Sequence, residues 1–286
     1  MGFLLFYASA AFFYFMVDRY AARTRKSRQL TASCPPPQVS PTDIVLRGKT
    51  LPLTDQDLDR ILSKRFPFYA PLSDEMKGRF RRRLQRFMNS KTFIIKDDEG
   101  FKEMPVLVSA TAIHLTFGLK NYLLPFYPYI RIYPEEYFKD GTFTILAGNV
   151  QGNVITVAWN HLLKGIENPA DGANVGLHEM SHALYFQKLV VEENFSKKFS
   201  KSYNHLLSEC RTAFDDERKG HIDLYSDYAM KNMQEFWAES VELFFEKSSE
   251  LKRCYPAVFE KMTVLLNQDP MNKQNPVIKL DLYPFY

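Results

Sequence analysis

Residues 154–182 read VITVAWNHLLKGIENPADGANVGLHEMSH, and the fold turns on how this stretch is read. Its opening, Val154-Ile155-Thr156-Val157-Ala158-Trp159, is rich in β-branched residues and bounded by Gly152 and Asn160, which marks a strand. Its close, Gly176-Leu177-His178-Glu179-Met180-Ser181-His182, lies in a stretch that reads as a helix over about 174–190. On a helix, His178 and His182 stand one turn apart on one face, about 5 to 6 Å between their Cβ atoms, so two imidazoles can share one tetrahedral zinc ion. Glu179 projects beside them, where a carboxylate can take a proton from a metal-bound water. A strand, a short loop and such a helix, in that order, is the arrangement in which an edge strand holds an extended substrate across a metal.

Downstream, the chain reads as mostly helical, over about 196–213, 231–247 and 256–267, with Gly220 and Pro256 as breaks. A catalytic zinc takes a third protein ligand and keeps one position open. A third histidine six residues beyond His182, preceded by a glycine, is excluded because those positions hold Lys188 and Tyr185. The stretch NMQEFWAESVELFF, residues 232–245, offers Glu235, Glu239 and Glu242 along one stripe of an otherwise apolar, aromatic helix. Three carboxylates there are hard to bury without a compensating cation.

Upstream, short β-rich runs at Phe93-Ile94-Ile95, Ile130–Tyr133 and Thr142–Leu146 surround a helical stretch from Val106 to Leu119. A mixed sheet followed by helices makes an α+β domain. Before it come two amphipathic helices, one capped by Thr54 or Asp55 and one from Ser73 to Phe87. The second carries Lys77, Arg79, Arg81, Arg82, Arg83 and Arg86, which read as a solvated basic face.

The N-terminus is of another character. Residues 1–17 carry no charge, and Arg19, Arg23, Arg25, Lys26 and Arg28 follow against Asp18 alone, a local +4 that equals the net charge of the whole chain. Taken from 37 basic and 33 acidic residues, this leaves 32 of each, so the body has no surplus charge to attract nucleic acid. Residues 1–20 read as a transmembrane anchor, 21–52 as a basic, proline-rich tether and 53–286 as the globular domain. Basic residues after the apolar run place the body in the cytoplasm, anchored to the inner or cell membrane. Three scattered cysteines offer neither a disulfide framework nor a cysteine metal site, in keeping with a reducing compartment.

The segment VAWNHLLKGIENPADGANVGLHEMSHAL, with the later YAMKNMQEFWAESVELFFE and YPAVFEKMTVLLNQDP, resembles the two signatures of the Mlc titration factor family of zinc-dependent peptidases over residues 55–270. The resemblance implies a zincin-like α+β metallopeptidase domain acting on a peptide or protein substrate. It implies zinc held by His178, His182 and Glu235, with Glu179 as general base and the Tyr228 phenol stabilising an oxyanion. It also implies a second possibility, a scaffold that sequesters a transcriptional repressor. The chain departs from the family pattern at Tyr185, where an aspartate is common, and at Met233 and Trp237. Glu239 is then expected to support a ligand histidine and Glu242 to be solvated, while His161, His205 and His221 lie at no family position.

Overall fold

The computed structural model describes residues 34–96, 103–138, 143–191, 197–220 and 222–279. The anchor expected over 1–20 lies outside them, and no helix among the described residues is long and apolar enough to cross a membrane.

Seven strands and nine α-helices are formed by the described residues. The main sheet runs in the order β1 (Ile44–Arg47), β2 (Thr92–Ile95), β3 (Tyr129–Tyr133), β7 (Val154–Ala158), β6 (Gly148–Gln151). The pairs β2–β3 and β3–β7 are parallel, whereas β1 and β6 run antiparallel to their neighbours. A separate two-stranded ribbon, β4 (Tyr137–Phe138) with β5 (Ile145–Leu146), precedes β6. The sheet is therefore mixed, as expected for an α+β domain.

Three expectations change here. Ile44–Arg47, read as tether, pairs residue for residue with Ile95 back to Thr92, so the folded body begins about ten residues earlier than Leu53. Strand β7 is interior, and the edge of the sheet beside it is β6, whose Gly148 and Asn149 lack the β-branched signal that made β7 legible. The stretch after β7 is also more than a loop. Trp159 opens helix α4 (Trp159–Glu167), which buries Leu162 and Ile166 at a helical spacing of four.

The helices cover the sheet and one another. Helix α1 (Asp55–Arg65) starts at a capping box in which Thr54 and Asp57 exchange hydrogen bonds. Helix α2 (Asp74–Asn89) is capped by Ser73. Helix α3 (Glu103–Thr116) is buried almost all round, which is why its sequence lacks a polar face. It packs against α2 on one side and on the other against α5 (Val175–Tyr185), the helix carrying the two histidines. Residues 186–191 continue α5 as a short π-helix. Then come α6 (Lys197–Arg218), α7 (Met233–Glu246), α8 (Ser248–Cys254) and α9 (Pro256–Leu266).

The basic face of α2 is only partly solvated. Arg83 is 3% exposed and donates to the carbonyls of Thr116, Phe117 and Leu119, placing a cation at the C-terminal end of α3 where carbonyls lack helical partners. Arg81 pairs with Asp55 and Asp59 on α1. Just beyond α2, Lys91 is buried and its Nζ donates to the carbonyls of Leu123, Leu124 and Tyr127 at 2.7–2.9 Å. Burial pushes this ammonium down to about 7; against that, three carbonyl acceptors match its three N–H donors.

Lys91→Met should keep the side-chain volume but strand three buried carbonyls. The expected loss is on the order of 3 kcal/mol of unfolding free energy, read as a lower urea midpoint with an unchanged slope.

Candidate metal centre

Helix α5 is placed by its first residues. Asn174 caps it, its Oδ1 accepting from the Leu177 amide at 3.0 Å. The same residue is tied on its other sides, its main-chain N–H donating to Glu242 at 2.5 Å and its Nδ2 to Glu246 at 2.8 Å. Both carboxylates lie on α7, so the N-terminus of the histidine helix is fastened to a second helix. Trp237, also on α7 and 1% exposed, donates from its indole to the Ser181 carbonyl and fixes the two helices farther along. At its own start α7 is capped by Asn232, which accepts from the amides of Gln234 and Glu235.

This packing brings the predicted residues together. His178 and His182 face the same way, their ring centroids 4.9 Å apart, and Glu235 reaches them from α7. Glu235 Oε2 lies 3.0 Å from His178 Nε2 and 3.3 Å from His182 Nε2, and the two Nε2 atoms are 3.2 Å apart. An ion bound tetrahedrally at about 2.0–2.1 Å requires donor–donor separations of about 3.3 Å, so three edges of such a tetrahedron are already in place. Hydrogen bonds with His178 and His182 hold the Glu235 carboxyl down at about 2. Among the described residues this is the one group of three or more His, Cys, Asp or Glu side chains that can hold a metal ion. His161 pairs instead with Glu136, His205 is exposed on α6, and His221 lies outside the described residues.

The residue that orients the site is Glu242. It is 6% exposed, and its Oε1 lies 2.6 Å from His178 Nδ1. A carboxylate on the far nitrogen of a ligand imidazole fixes both ring orientation and tautomer. Burial raises the Glu242 carboxyl, opposed by its hydrogen bond with His178. The assignment expected for Glu239 therefore belongs to Glu242, and Glu242 is not solvated. Glu239 instead accepts from the amide and hydroxyl of Ser226. Helical geometry explains the exchange. At about 100° per residue, Glu242 falls about 20° from Glu235 around the axis and Glu239 about 40°, on the other side. Tyr185, one of the departures from the resembling family's pattern, packs edge-on against Tyr203.

Glu179 is 7% exposed, and its Oε2 accepts no hydrogen bond from the described residues. Burial raises it to about 7, with the neighbouring histidines acting in the opposite direction. Strand β6 passes directly over it: a Cβ on Gly148 would lie 2.6 Å from Glu179 Cγ and 2.8 Å from Oε1. Gly148 is thus the one kind of residue that lets the sheet edge and this carboxylate coexist. No local pattern marks it, because its neighbour in space is 31 positions away. Tyr228 stands at the rim, 49% exposed, its ring centroid 6.0 Å from that of His178. Partial burial raises its phenol, with Glu235 and Glu179 acting in the same sense.

A mixed α+β domain with an HExxH helix and a glutamate from a later helix, three donors converging on one point, has the make-up of a metallopeptidase. The chain belongs to the glucose-regulated metallopeptidase M90 family, the Mlc titration factor family, whose profile matches residues 47–265. It is also similar to an uncharacterized protein of Synechocystis sp., 26% identical over 236 residues that cover 74% of this chain and 83% of the relative.

The geometry separates Glu242 from Glu239 on α7. Glu242→Ala should weaken divalent-metal affinity about 10- to 100-fold, whereas Glu239→Ala should leave it unchanged, both read by titration of the metal-free protein with zinc.

Proposed function

We propose that the protein is a zinc-dependent peptidase that hydrolyses peptide bonds in an extended substrate, with His178, His182 and Glu235 holding the ion. The observation that carries this reading is Glu179: a buried carboxylate with an unpartnered oxygen, next to three converging donors, under a strand that has a glycine where any side chain would strike it. A scaffold that only held a partner protein would have no use for that clearance.

When bound there, zinc supplies a Lewis acid that polarises a carbonyl and lowers the pKa of a coordinated water toward about 7. The protein's own groups do the rest. Glu242 holds the His178 ring so that Nε2 faces Glu235 and His182, and the Glu235 carboxylate would partly neutralise an ion held there. Glu179 takes the proton from the attacking water and passes it to the leaving amine as the C–N bond breaks. Tyr228 donates its phenol hydrogen bond to the oxygen on which negative charge develops. The outer edge of β6, unpaired among the described strands, offers main-chain groups from Gly148 to Gln151 to an extended peptide. The uncharged run over 1–17 and the basic residues after it tether this domain to the cytoplasmic face of a membrane.

Glu179→Gln tests the central assignment. It should retain zinc, because both imidazoles and Glu235 are untouched, and lose about 10² to 10⁴ of the hydrolytic rate on a peptide library. Activity equal to the parent's would remove Glu179 from the reaction. The tether has its own test: the full-length chain should sediment with membranes after gentle lysis, and its recovery in the soluble fraction would refute that part of the reading.

A further inference from the structure

The loop that carries Tyr228 is fastened to α7 by a carboxylate that the metal centre does not use. On one side the loop is anchored by Tyr225, which is buried, stacks on Phe236 with ring centroids 4.1 Å apart and shares a 2.9 Å hydrogen bond with Ser240. On the other side Asn232 caps α7. Between these anchors the chain makes a short 3₁₀ turn, Ala229–Lys231, with Tyr228 at its entrance. Ser226 opens this excursion and is held at three points. Its amide donates to Glu239 Oε1 at 2.5 Å, its hydroxyl donates to Glu239 Oε2 at 2.6 Å, and its carbonyl accepts from the Ala229 amide at 3.1 Å.

The Tyr228 ring is not packed into a socket. It meets His178 edge-on, lies with Lys231 Nζ 3.8 Å from its centroid and is otherwise half open. The backbone of the turn therefore decides where the phenol stands. Glu239 sits one helical turn beyond Glu235 on α7, so the group that grips the loop and the group that faces the metal site are fixed on the same rigid helix.

We infer that the Ser226–Glu239 pair is a latch that sets Tyr228 over the metal centre, making Glu239 a positioning residue for the reaction. This rests on the reading of Tyr228 as the donor to the oxyanion. Two charge-assisted hydrogen bonds to one carboxylate are directional and short. Their loss frees the turn by an amount that a hydrogen bond to a developing charge does not tolerate, since displacements near 1 Å are costly in rate.

The test uses the full-length, zinc-loaded protein and the variants Glu239→Ala, Glu239→Gln, Tyr228→Phe and the double variant Glu239→Ala with Tyr228→Phe. Peptide hydrolysis, zinc content and amide hydrogen exchange are measured on each. Glu239→Ala should lower kcat on the order of tenfold, with KM and zinc content unchanged, and should speed exchange at residues 226–231 while leaving α5 as it was. Glu239→Gln should recover part of the rate, because its amide oxygen still accepts from Ser226. In the Tyr228→Phe background the loss of Glu239 should cost nothing further. An equal loss in both backgrounds would overturn the proposal, as would unaltered exchange in the loop. Loss of zinc from Glu239→Ala would return that residue to the metal centre. The exchange measurement reads the latch whether or not peptide is cleaved, so a parent without hydrolysis counts against the peptidase reading alone.

Discussion

The buried carboxylate of Glu242 is the contact through which the site is assembled. It receives the Asn174 amide at the start of α5 and meets the far nitrogen of His178 four residues later, so one side chain of α7 fixes both the entry of the histidine helix and the aim of its first histidine. A carboxylate removed from water is costly unless its oxygens are matched by donors, and here both are. The same match makes the relative position of α5 and α7 specific, because a slide of either helix would leave a buried charge without a partner. Glu235 and Trp237 then follow from the placement of α7: one closes the triangle of donors and the other bonds the Ser181 carbonyl.

Packing at the sheet edge completes the arrangement from the opposite side. Strand β6 lies against the histidine helix closely enough that Gly148 touches Glu179 with nothing but its backbone. That contact shields one face of the carboxylate and leaves an oxygen without a donor, a state the surrounding fold has to sustain. The outer edge of that strand is unpaired among the described residues, so under the proposed peptidase reading the element that confines Glu179 would also hold a peptide beside it.

Away from the site, two buried cations support the layer on which it rests. Arg83 closes the C-terminal end of α3, and Lys91 gathers three carbonyls of the connection leading to β3. Helix α3 packs directly against α5, and β3 is the parallel neighbour of β7, so both cations stabilise irregular backbone on the far side of elements that flank the metal centre. Here positive charge satisfies main-chain carbonyls of a connection whose Leu119, Tyr122, Leu124, Phe126 and Tyr127 are themselves buried, and only part of the basic face of α2 is left for solvent.

Much of this was legible in the chain itself. Local rules suffice for β7, with its β-branched run, and for His178, Glu179 and His182, because four residues on a helix make one turn whatever surrounds it. The cap at Thr54, one of two candidates, the start of the second helix at Ser73 and the late helix with its carboxylates are equally local. Strand β1 is not legible locally, because four residues after a proline-rich stretch carry little signal until they pair with β2. Helix α4 is equally hidden, because a strand ending and a helix starting at Trp159 look alike over a few residues. The sequence by itself determined which residues could bind a metal and carry a proton. The tertiary structure alone decided that Glu242 and not Glu239 supports His178, that Gly148 must lack a side chain and that β6 forms the edge, because each depends on the angle and distance at which elements far apart in the chain are packed, and no local spacing encodes those.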